Sequence, residues 1–84
     1  MKPIRLVLAD DHPLILEGFK SLLARNAQFE IAGEASDGKE LFDMIVQTSP
    51  EIVLTDINMP KLTGLEVMQK VLKEKPEIKP VLQL

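Results

Sequence analysis

The chain contains no cysteine, which excludes both a disulfide framework and a thiolate metal site. No apolar run is long enough to span a bilayer, and nothing at the start resembles a signal peptide. Its ten Lys and Arg are scattered among thirteen Asp and Glu, with a net charge of -3, so this piece carries no basic surface for nucleic acid. Repeats, low-complexity segments and linkers are missing as well. What is there is a globular balance, 45% hydrophobic and 27% charged over 84 residues. That makes one small domain, at the low end of the size that supports its own core. The expectation is a cytoplasmic protein without membrane or nucleic-acid partners of its own.

The chain is organised around Pro50-Glu-Ile-Val-Leu-Thr-Asp-Ile-Asn-Met-Pro60. Ile52-Val53-Leu54-Thr55 is a short continuous apolar run behind a proline, the pattern of a strand buried on both faces of a parallel sheet. It ends on Asp56, at the carboxyl end of the strand, where open α/β sheets place their ligand sites. Ile4 to Ala9 is a second such run, ending on Asp10-Asp11. Two acid-ended strands side by side would converge three carboxylates on one small volume. Asp is also common after strands as a helix cap or turn residue, and spacing alone leaves both readings open.

Between these runs the chain alternates. His12-Pro13 opens a helix with Pro in its first turn, and Leu14, Ile15, Leu16, Phe19, Leu22 and Leu23 recur at helical spacing up to a stop at Asn26. Gln28 to Gly33 reads as a shorter, more solvated strand near an edge, with Phe29 and Ile31 on one face. Ser36-Asp37-Gly38 begins a helix striped by Leu41, Phe42, Ile45 and Val46. A third helix carries Leu65, Val67, Met68, Val71 and Leu72, with Thr63 as N-cap and Glu66 as its capping-box partner. Lys73 to Pro76 closes it, and Val81 to Leu84 starts a fourth strand. The order β-α-β-α-β-α-β demands a mostly parallel sheet with right-handed crossovers. His12 reads as a helix start with its ring toward solvent, and Met44, Met59 and Met68 as packing or loop residues. The lysines from Lys61 to Lys79, interrupted by Glu66, Glu74 and Glu77, read as a solvated helix face.

Leu8-Ala-Asp-Asp-His-Pro-Leu14 with Glu17-Gly-Phe19, Ala35-Ser-Asp-Gly38, Asp56-Ile-Asn-Met-Pro60 and Thr63-Gly-Leu-Glu66 together resemble the receiver domains of two-component response regulators. The first of these is similar in particular to the NarL/FixJ (LuxR-type) transcription regulators. The resemblance covers the chain from 1 to 84. It implies a flavodoxin-like (CheY-like) doubly wound parallel sheet, incomplete here, with about four strands and three helices. It also implies that Asp56 is the phosphoacceptor and that Asp10 and Asp11, Asp11 most directly, hold a divalent cation such as Mg²⁺ together with Asp56. The backbone carbonyl of Asn58 would complete the metal shell, and Met59, Pro60 and Gly64 would shape the site loop.

The family pattern includes a Ser or Thr at the end of the fourth strand and a Lys at the end of the fifth. Counted from Asp56 the hydroxyl falls at or near Leu84, where none is present, and the Lys, the last two helices and any DNA-binding output domain are not in the chain. The expectation is therefore a receiver truncated after the fourth strand, whose metal binding survives better than its phosphorylation. Losing a preorganised electrostatic contact costs on the order of 3 kcal/mol of transition-state stabilisation. The implied partners are a sensor histidine kinase and a second copy of the chain, paired along the exposed fourth-strand edge that Pro80 slightly blunts. A degenerate receiver that only binds or self-associates is the alternative. A haloacid-dehalogenase-type phosphatase would want an Asp where Asn58 stands.

Overall fold

The computed structural model describes residues 2–57, 59–61 and 63–83. Its elements are β1 (Ile4–Ala9), α1 (Pro13–Ala24), β2 (Phe29–Ala35), α2 (Gly38–Thr48), β3 (Ile52–Asp56), α3 (Gly64–Glu74) and β4 (Lys79–Gln83). The four strands form one parallel sheet in the order β2-β1-β3-β4. The continuous apolar runs lie where their composition demands, at the centre, with β1 and β3 paired from Leu6↔Ile52 to Ala9↔Thr55.

Each central strand feeds two cores. Val7, Ala9 and Val53 face α2 and α3, where Leu41, Ile45, Val67, Met68 and Val71 close a continuous buried cluster. Leu6 and Leu8 face the other way, toward Leu16 on α1, with Phe19, Leu23, Phe29, Ile31, Ile52 and Leu54 packed around them. The α1 layer is thin. Of the six apolar positions expected to form its stripe, only Leu16 is buried, and Leu14, Ile15 and Leu22 stand in solvent. Val46 on α2 and Leu65 on α3 are likewise exposed.

Two strand boundaries differ from the sequence reading. β2 runs on past Gly33 to Ala35, because its register with β1 shifts between Leu6 and Val7: Leu6 pairs Ile31, but Val7 pairs Gly33. Ala32 is the extra residue of a β-bulge. The bulge inverts the side-chain parity of β2, so Phe29 and Ile31 join the α1 core while Ala35 is buried in the opposite one. β4 begins at Lys79, earlier than its apolar residues, since the Lys79 amide donates to the Glu51 carbonyl at 3.0 Å and sets the register before Val81. Pro80 sits inside this edge strand, opposite Val53.

The helix starts are those the local chemistry specifies. Asp37 caps α2 by accepting the Glu40 amide at 2.8 Å. The Glu40 carboxylate reaches back to the Ser36 amide, also at 2.8 Å. Thr63 and Glu66 form a reciprocal capping box on α3. At the far end of α2, Arg5 of β1 donates to the Thr48 carbonyl at 2.6 Å, satisfying a group that the helix leaves open.

Candidate functional site

The register that pairs Ala9 with Thr55 brings Asp10 and Asp56, the next residue of each strand, to the same end of the sheet. Asp10, Asp11, His12 and Asp56 each offer one ligand atom, and these four atoms lie within 4.8 Å of one another. Asp10 and Asp56 are buried, whereas Asp11 and His12 face solvent. Asp10, Asp11 and Asp56 thus stand where the sequence placed them, at the carboxyl edge of adjacent strands.

His12 has a larger part than its sequence position suggests. Its ring is largely exposed, as expected, but Nδ1 lies 2.8 Å from Asp10 Oδ1 and 3.0 Å from Asp11 Oδ1. Its backbone N–H also donates to Asp10 Oδ1 at 2.9 Å. The hydrogen bond to Asp10 raises the imidazole pKa above its ordinary value, and the nearby charges of Asp11 and Asp56 push the same way. The available signal is the spacing: a residue two positions after an Asp can close an Asx-type turn onto it.

The loop that follows β3 is held by tight backbone contacts. The Gly64 amide donates to the Ile57 carbonyl at 2.9 Å, drawing the first turn of α3 against the end of β3. A Cβ on Gly64 would fall 2.7 Å from Thr55 Oγ1 and would collide with the Asp56 carbonyl oxygen. The site therefore requires glycine there for proximity. Met59 is buried in the core with Val67 and Met68, anchoring the loop, and Pro60 is exposed with its carbonyl accepting the Gly38 amide at 3.3 Å. The expected roles of the Asn58 carbonyl and of a hydroxyl near Leu84 fall on residues outside those described.

One contact was not legible in the sequence. Lys61 Nζ lies 3.3 Å from Asp37 Oδ2, joining the loop after β3 to the start of α2. The Asp37 carboxyl is held below its ordinary pKa, chiefly by the Glu40 amide it accepts and further by Lys61.

The three carboxylates, without any thiolate, make an oxygen donor set that fits a hard divalent cation, with the His12 ring turned to Asp10 and Asp11. A doubly wound α/β domain with an acidic cluster at a strand's carboxyl end is the class that fold and site define. The model of the response regulator receiver domain matches residues 6–83, and the chain belongs to that family. It is 36% identical over 76 residues to the transcriptional regulatory protein DegU of Brevibacillus brevis, covering 90% of this chain and 32% of that protein. It is also 36% identical over 74 residues to the nitrate/nitrite response regulator protein NarL of Escherichia coli K12, covering 88% of this chain and 34% of that protein. The chain thus spans about a third of the length of these curated relatives. Among solved structures, the signal receiver domain of the NarL response regulator from Mycobacterium tuberculosis superposes with a TM-score of 0.86 at 30% identity, covering 98% of this chain and 64% of that one. The response regulator domain of Thermotoga maritima CheB gives 0.90 at 25% identity, covering 96% and 60%.

Proposed function

We propose that this chain is a phosphorylation-controlled receiver module in which Asp56 accepts a phosphoryl group from a histidine kinase. The observation that carries the reading is the convergence of Asp10, Asp11 and Asp56 at one end of the sheet. In this reading Asp10, Asp11, Asp56 and the Asn58 carbonyl hold Mg²⁺. When bound, the cation supplies positive charge that screens the repulsion between carboxylate and phosphoryl oxygens. An Asp56 oxygen attacks phosphorus in line as the bond to the donor's leaving atom breaks, giving an acyl phosphate. His12 holds Asp10 and Asp11 in place through its ring nitrogen. The role is regulatory and set in the cytoplasm, and no described helix is long and apolar enough to cross a membrane. The relative DegU is a transcriptional regulatory protein by name, so the output placed under such control is transcription in this reading.

The test is intact mass after incubation with acetyl phosphate and Mg²⁺. A single phosphoryl adduct is expected on the parent chain and none on Asp56→Asn. An adduct of equal yield on both would place the chemistry elsewhere. No adduct on a parent chain shown to be folded by circular dichroism would leave a module whose role is binding.

A second reading has its own observation. β4 is an edge of the sheet, and its Val81 and Leu82 are exposed. Unpaired edge groups flanked by apolar side chains template pairing with another strand. We expect two copies of the chain to pair along β4, seen as a dimer mass in size-exclusion chromatography with light scattering. A monomer at every concentration would remove this reading.

A further inference from the structure

Two contacts tie the loop after β3 to the start of α2: the Lys61–Asp37 ion pair and the Gly38 amide on the Pro60 carbonyl. Neither involves the acidic cluster. The Asp37 carboxylate divides its oxygens, Oδ1 accepting the Glu40 amide as helix cap and Oδ2 facing the Lys61 ammonium. The Asp37 side chain is 14% exposed and that of Lys61 64%, so a fixed anion on α2 receives a cation reaching in from the loop. Lys61 also stands at φ 71, a left-handed conformation that side chains other than glycine, Asn and Asp rarely adopt. Such strain persists where the surroundings over-determine it. A glycine would take this conformation freely but could not reach Asp37.

We propose that the Lys61–Asp37 pair is a positioning device for the acidic site: it pins the Met59–Lys61 turn to the cap of α2 and so fixes the loop that leaves Asp56. The proposal rests on the reading of that site as a cation-dependent phosphoacceptor. An exposed ion pair contributes little to global stability, so the role lies in loop geometry. Geometry and charge make opposite predictions. If the two residues acted on a bound cation only through space, removing the Lys61 charge would tighten binding and removing the Asp37 charge would weaken it. If they act as a latch, both changes weaken it.

The experiment pairs Lys61→Asn, whose side chain tolerates the left-handed conformation, with Asp37→Ser, which keeps a capping oxygen. Hydrogen exchange of the Gly38 amide is read against that of Val53, and Mg²⁺ affinity is read by titration. Each variant is expected to speed Gly38 exchange and weaken Mg²⁺ binding by on the order of threefold, the scale of an exposed pair. The double variant goes no further than either single, and Lys61→Arg restores both readouts. Unchanged Gly38 exchange in both variants, or Mg²⁺ affinities that move in opposite directions, overturns the proposal. A parent chain that binds no Mg²⁺ sinks the acidic-site reading instead, and Gly38 exchange alone then decides whether the loop is latched.

Discussion

Gly64→Val is expected to destabilise the fold by about 3 kcal/mol, the upper end of overpacking effects, and to lower divalent-cation affinity with it. Most overpacked positions relax because a side chain moves aside. Here the obstacles are the backbone carbonyl of Asp56 and the hydroxyl of Thr55, which is fully buried. The carbonyl belongs to the last residue of β3 and cannot move without taking Asp56 along, so α3 must slide away instead. Sliding breaks the bond from the Gly64 amide to the Ile57 carbonyl. Gly18 supplies the control. It lies inside α1, and a Cβ added there would meet nothing within 4 Å, so Gly18→Ala is expected to stabilise by up to about 1 kcal/mol through helix propensity. Urea denaturation of the two variants, with a Mg²⁺ titration of each, checks both signs. A Gly64→Val chain as stable as the parent would mean that α3 does not press on β3 as described.

The same contrast marks what a sequence can carry. The Ile52 to Asp56 run announced its strand and the end at which its carboxylate stands, because continuous apolarity and a terminal acid are local signals. Of the two faces expected to be buried, only that of Val53 and Thr55 is fully so, Ile52 and Leu54 being partly covered. The Thr63 cap was legible as a local signal too, since it bonds to an amide three residues on, and Ser36-Asp37-Gly38 was legible as a helix start, though not Asp37 as its cap. The bulge at Ala32 was not, since it is a property of the pairing between β1 and β2 rather than of either strand. The Lys61–Asp37 contact joins residues 24 positions apart on different elements, with no motif to connect them. For α1, helical spacing identified the side that turns inward but not how much of it the sheet covers. Leu16, Phe19 and Leu23 meet the strands, and the neighbouring Leu14 and Leu22 do not.

That division between covered and uncovered leucines sets up the second large effect. Leu41→Ala is expected to cost about 2–5 kcal/mol, and Leu22→Ala to stay within about 0.5 kcal/mol. Leu41 is completely buried in the core that α2 shares with β1, β3 and α3, so truncation leaves a cavity in the cluster that includes Val7, Val53, Val67 and Met68. At ~0.05–0.15 kcal/mol per residue, a chain of 84 residues has on the order of 4–13 kcal/mol in total, so this one change removes a large part of it. Leu22 is 66% exposed and has little burial to lose. Urea midpoints at constant slope measure both. The loss at Leu41 also reaches the site, because the first turn of α2 carries the cap that grips Lys61. Repeating the pair at several protein concentrations adds a further discrimination. If Leu22→Ala became as costly as Leu41→Ala only when the chain is concentrated, the bare face of α1 would be buried against a second copy, and self-association would run through that helix rather than along β4.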